Sequence, residues 1–147
     1  MRDDGYRGSE EIEGEFRPIS LGEAMHGFVE SIRNYGRLEK QCESPIEAQL
    51  AARLLVDLKP PFTLEPQFRF RRYRIDFAVL RDGIPCLFIE CDGKEFHSTP
   101  EQRANDLDKN QAAAQIGVPM LRFTGSHIFR RPDECSRKIV ALLEGLA

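Results

Sequence analysis

Two short apolar runs, Arg74-Ile75-Asp76-Phe77-Ala78-Val79-Leu80 and Cys86-Leu87-Phe88-Ile89-Glu90-Cys91-Asp92, are separated by Arg81-Asp82-Gly83 and closed by Asp92-Gly93. Runs of this length between turn residues predict two β-strands paired as a hairpin. Alternation along a strand puts Tyr73, Ile75, Phe77 and Val79 on one face, and Asp76 with Ala78 and Leu80 on the other. On the second strand Glu90 and Asp92 share the face of Phe88, with Leu87, Ile89 and Cys91 opposite. Each strand therefore carries carboxylates where a buried strand ordinarily has none. Unpaired buried carboxylates are costly, so such a cluster needs a cation, a basic partner or bound protons. Three oxygen ligands on two strands suit a hard divalent ion such as Mg²⁺ or Mn²⁺. Each acid alone has a plainer reading: Asp76 as the partner of an arginine, Asp92-Gly93 as a turn. The three together, with His97 just beyond, weigh toward a site.

At 147 residues the chain can form one domain with a single packed core. No apolar run approaches membrane-spanning length, and the acidic, polar N-terminus resembles neither a signal nor a transit peptide. Cys42, Cys86, Cys91 and Cys135 lack C-x-x-C spacing. They read as reduced, partly buried thiols of a cytoplasmic protein rather than a zinc site or disulfide frame. Residues 1–30 hold eight acids against three arginines, a balance of −5, leaving 18 basic and 16 acidic residues from totals of 21 and 24. The acidic excess thus lies at the N-terminus, and the remainder is compatible with a polyanionic partner.

Residues 1–18, rich in Gly and Glu, predict a disordered acidic arm. Residues 19–42 form a helical extension with a weak apolar pattern (Leu21, Met25, Phe28, Val29, Ile32); His26 has no visible partner there. Ser44-Pro45-Ile46-Glu47 is a capping box that opens a helix to Leu58, with Leu50, Ala51, Leu54 and Leu58 on one face. Glu47 borders that face, so it serves either as the cap or as a fourth acid of the site. Lys59-Pro60-Pro61 stops the helix, and a strand follows over about Phe62–Phe70. Arg69, Arg71, Arg72 and Arg74, interleaved with Phe70 and Tyr73, form a ridge for phosphate contacts, with an edge strand blunted by charge as the alternative. Thr99-Pro100-Glu101-Gln102 caps a helix to Gln115 that turns Leu107, Gln111 and Ala114 toward the sheet. A strand over Val118–Phe123, a loop holding His127 and Arg130-Arg131, and a last helix with Ile139, Leu142, Leu143 and Leu146 on one side complete the chain.

Helix, three strands, helix, strand, helix predicts an α/β fold: a mixed sheet flanked by helices. This order and its acids resemble the restriction-endonuclease-like (PD-(D/E)XK) nuclease superfamily, which carries an Asp on one strand and (Asp/Glu)-x-Lys on the next. Asp76 and Glu90-Cys91-Asp92 occupy those positions, with Asp92 where the Lys is expected. Ser44-Pro45-Ile46-Glu47, Arg74-Ile75-Asp76-Phe77, Glu90-Cys91-Asp92-Gly93, His97, Asp106 and Gly117-Val118-Pro119-Met120-Leu121-Arg122-Phe123 together resemble the narrower very-short-patch-repair-endonuclease-like branch, over roughly residues 43–124. The resemblance implies an α-βββ-α-β core within a nuclease-like domain over 43–147. It also implies Mg²⁺- or Mn²⁺-dependent cleavage of nucleic acid, DNA before RNA, in a repair, defence or mobile-element setting. By position, Asp76 and Glu90 hold the metal near the Cys91 carbonyl, Asp92 is a direct or outer ligand, and His97 orients or deprotonates the attacking water. Lys94 lies two residues beyond the usual lysine position. A non-cleaving nucleic-acid-binding module, or a partner-docking domain using the acidic arm, stays open. Carboxylates that repel phosphate weigh against a pure binder.

Overall fold

Ser20 caps the first helix in both directions: its hydroxyl accepts from the Glu23 N–H and its own N–H donates to the Glu23 carboxylate. Helix α1 (Leu21–Gln41) continues from this cap through three glycines. The computed structural model describes residues 20–92 and 99–146, apart from the side chains at 27, 28 and 31. The predicted arm over 1–18, Lys94 and His97 lie outside these residues. Helix α2 (Pro45–Asp57) buries Leu50, Ala51 and Leu54, the stripe its sequence predicts, together with Glu47.

Strands β1 (Phe62–Phe70), β2 (Tyr73–Arg81) and β3 (Ile84–Asp92) form an antiparallel meander. Helix α3 (Pro100–Gln115) then carries the chain over to β4 (Met120–Thr124), which lies parallel to β3. The sheet order is β1-β2-β3-β4, and α4 (Gly125–Arg130) and α5 (Pro132–Leu146) follow it. The result is the mixed sheet flanked by helices that the element order predicts. One face packs Phe77, Val79, Leu87 and Ile89 against Leu50 and Leu54 of α2 and Ile139 and Leu143 of α5. The other packs Tyr73, Ile75, Ala78 and Phe88 against Ala112 and Ala113 of α3. No helix among the described residues is long and apolar enough to cross a membrane, and all four cysteines are free thiols.

Three local expectations need correction. Tyr73 and Ile75 do not share a face with Phe77 and Val79, because the two pairs belong to opposite cores. The change of face falls at Asp76, opposite Gln67, which takes a left-handed φ of 51° between the pairs Pro66↔Phe77 and Phe68↔Ile75. An irregularity of this kind raises the twist and re-aims the side chains beside it. On α3, Leu107, Gln111 and Ala114 face solvent, while Ala112 and Ala113 are buried. The helix approaches the sheet through two small residues and charged ties, so its one large apolar residue, Leu107, does not mark the inner face. His127 and Arg130 lie on α4 rather than in a loop, where the Thr124 hydroxyl accepts from the His127 N–H to start the turn.

Candidate functional site

The pairing of Phe77 with Ile89 sets Asp76 beside Glu90 on adjacent strands. Asp76 Oδ2 accepts a hydrogen bond from the Cys91 N–H at 2.8 Å, which fixes the carboxyl against the β3 backbone. Glu90 is 4 % exposed, and Lys109 of α3 reaches it with Nζ 2.7 Å from Oε1. With Lys109 at 15 % side-chain exposure, this is a nearly buried ion pair.

Glu47 enters from the first turn of α2 and is 5 % exposed. Its capping box is only half formed. The Ser44 hydroxyl accepts from the Glu47 N–H, but the Glu47 carboxylate does not bond the Ser44 N–H. Instead Oε2 accepts from the Ser44 hydroxyl at 2.9 Å and Oε1 from Gln67 Nε2 at 2.7 Å. Its backbone serves the cap while its carboxylate is held by Ser44 and Gln67, close enough for its charge to be felt at Asp76.

Asp76 therefore has two acids for neighbours. Burial, then a hydrogen bond to Glu90 and the Glu90 charge, push its pKa from the usual carboxylate range up to about 8. The Cys91 N–H opposes this, and Glu47 adds to it. Cys42 and Cys91 are held as thiols: burial comes first for both, and the neighbouring carboxylates raise each further.

Asp92 ends the same strand as Glu90 and meets Arg122. Its Oδ1 is 3.9 Å from Arg122 Nη1. Burial raises its pKa, Arg122 opposes, and Asp106 and Glu90 reinforce the rise. Among the described residues no three His, Cys, Asp or Glu side chains are arranged to hold a metal ion. Mg²⁺, however, is ordinarily held by one or two carboxylates, with waters and substrate phosphate completing its shell. Asp76 and Glu90 could offer that donor set, one half-buried and one buried carboxylate whose repulsion a cation would relieve.

Of the arginine ridge, Arg71 donates to Gln115, Arg72 binds Asp108 and Tyr73, and Arg74 binds Glu43. Among the described residues Arg69 is the one of the four with no side-chain partner. Phe70 and Tyr73 are used in packing: Phe70 lies 5.0 Å from the Phe88 ring, and the Tyr73 hydroxyl donates to Asp108. His26 and Gln111 are exposed.

Sequence reasoning overlooked Lys109, Gln67 and Arg122. Lys109 had a readable signal, because it lies three and four residues before Ala112 and Ala113 and so shares their buried helical face. Gln67 had none, since its role depends on a strand irregularity that places it opposite Asp76.

The Asp76 carboxyl sets a pH dependence for the metal-free protein. Its folded pKa of about 8 exceeds the unfolded value, so the folded state holds the proton more tightly. Its contribution is complete below about pH 4 and is lost as pH rises to about 8. The slope is at most about 1.4 kcal/mol per pH unit, reduced by the solvent that reaches this half-buried group. Denaturant unfolding in EDTA should show wild-type stability falling relative to Asp76→Asn across that window. Parallel curves for the two proteins would remove the proton from Asp76.

Residues 49–143, roughly two thirds of the chain, match the family model REase_MTES_1575, a restriction endonuclease-like family. No curated protein and no solved structure matches the chain.

Proposed function

Since the chain belongs to the restriction endonuclease-like family REase_MTES_1575, we propose that its acid cluster is the centre of a divalent-metal-dependent endonuclease acting on nucleic acid, DNA before RNA. The observation that carries this reading is Asp76: a carboxyl beside Glu90 and within the field of Glu47, bonded to a backbone N–H, with its pKa raised to about 8. Packing gains nothing from such crowding, whereas a cation site needs it.

Asp76 and Glu90 would hold Mg²⁺ or Mn²⁺. Such an ion supplies Lewis-acid polarisation of a phosphoryl oxygen and a water of lowered pKa. The Cys91 N–H keeps the Asp76 carboxyl aimed, and Gln67 with Ser44 holds Glu47 as the third acid at the edge of the pair. Lys109 stands where a cation can balance Glu90 and face the charge building on a phosphate. It thereby fills the role left vacant by Asp92 at the usual lysine position, a role Lys94 would otherwise be asked to play. Asp92 acts from the Arg122 side as an outer acid. His97, on the segment between β3 and α3, is the proposed acceptor of the attacking water's proton, and His97→Ala should slow cleavage by about 10²–10⁴-fold. The kinship to the very-short-patch-repair branch, a repair, defence or mobile-element setting, and partner docking through the acidic arm belong to the same proposal.

Purified protein incubated with plasmid, single-stranded DNA and RNA, in Mg²⁺, Mn²⁺ or EDTA, tests the activity. Metal-dependent scission that EDTA abolishes is expected. Intact substrate throughout, with retained nucleic-acid binding, would favour the non-cleaving module instead.

The arginine ridge gives a further expected result. Arg69→Ala should weaken DNA binding about uniformly across sequences and lower the salt slope by about one. Arg72→Ala and Arg74→Ala should do less, because Asp108 and Glu43 already engage those guanidinium groups. Fluorescence anisotropy over a salt series reads this out, and an Arg69 effect confined to one sequence would mean that it reads bases.

A further inference from the structure

Helix α3 buries only Ala112 and Ala113 among its described residues. Two alanines supply little apolar adhesion, so the position of this helix over the sheet depends on polar ties. Arg71–Gln115 and Arg72–Asp108 fasten its C-terminal half to the β1–β2 turn. Arg122 fastens the turn that carries Lys109. Its Nη2 lies 3.0 Å from Asn110 Oδ1 and 3.4 Å from the Asp106 carbonyl, and its Nη1 lies 3.4 Å from Asp106 Oδ1. Asp106 and Asn110 stand one helical turn apart and bracket Lys109.

The sheet end of this brace is equally defined. Arg122 pairs with Glu90 in the parallel β3–β4 register, so the strand residue beside the acid holds the helix that delivers the lysine to it. Arg122 is 22 % exposed and also stands 3.9 Å from Asp92. The planar fork of arginine can grip several acceptors at once, which lysine cannot.

We infer that Arg122 is a positioning residue: it clamps Asp106 and Asn110 so that Lys109 is held on Glu90, with Asp92 serving the clamp. This rests on the nuclease reading for its catalytic consequence, though not for its geometry. Loss of the clamp lowers kcat by about 10–100-fold, the range for residues that orient a reacting group from behind. The KM for DNA stays unchanged, because Arg122 acts through Lys109.

Two measurements test it. In metal-free protein, ¹⁵N-detected spectra of lysine side chains should show slowly exchanging Lys109 ammonium protons, and Arg122→Gln should abolish that protection. An unchanged Lys109 signal overturns the clamp, whether or not the protein cleaves DNA. The second is a double-mutant cycle of Arg122→Gln with Lys109→Met, read as single-turnover cleavage. The Arg122 change should cost about 10–100-fold in wild type and close to nothing once Lys109 is gone. An equal cost in both backgrounds would mean that Arg122 contacts substrate itself. Failure of the nuclease reading looks different: the wild type would not cleave, while the ammonium signal would still decide the clamp.

Discussion

Asp76→Ala and Glu90→Ala should each reduce the proposed metal-dependent cleavage by at least about 10³-fold, with the fold retained. Both side chains sit at the point where two strands meet, and Asp76 is not packed as a core residue but held by the Cys91 N–H and crowded by Glu90. Losing one of the two proposed ligands should remove most of the charge stabilisation that a bound cation would give, about 4 kcal/mol or more of the barrier. The two substitutions differ in stability. Asp76→Ala relieves repulsion and should leave the metal-free protein as stable as wild type at pH 8. Glu90→Ala leaves Lys109 buried without its partner and should lower stability. Single-turnover cleavage alongside denaturant melts separates these effects. Near-wild-type cleavage by either variant would remove that acid from the reaction.

Lys109→Met should destabilise the metal-free protein by about 3–5 kcal/mol, since it leaves Glu90 uncompensated next to Asp76 and Glu47. Combining it with Glu90→Gln should restore most of the loss, because no buried charge then stands alone. Saturating Mg²⁺ should also restore part of it in the single variant by supplying the missing positive charge. Cleavage by the single variant should nevertheless remain about 10²–10³-fold down, the usual cost of deleting one preorganised charge at a reacting centre. Urea melts with and without metal provide the measurement. A loss within about 1 kcal/mol of wild type would make the pair equivalent to an exposed one and would remove Lys109 from the site.

The strands and their acids were legible because turn residues bracket each run and alternation assigns Glu90 to the face of Phe88. That assignment holds: Phe88 packs on the α3 side, from which Lys109 reaches Glu90. The same rule failed on β2, since strict alternation assumes a regular partner and Gln67 breaks β1 opposite Asp76. Glu47 was recognised as cap or site, but only coordinates show the Ser44 cap using its backbone and Gln67 its carboxylate. Asp92 stood out as an acid where a lysine was expected. The lysine that pairs with Glu90 lies nineteen residues away, on a helix whose weak apolar pattern pointed the wrong way. Hydrophobic periodicity finds faces that bury apolar area, and α3 is held by charges and two alanines instead.

Crystals soaked in Mn²⁺ and measured where manganese scatters anomalously would reveal whether a cation sits between Asp76 and Glu90. An anomalous peak in contact with the carboxylates of Asp76 and Glu90 is expected, absent from crystals of Asp76→Ala treated identically. Peaks confined to exposed acids, with none between Asp76 and Glu90, would contradict it.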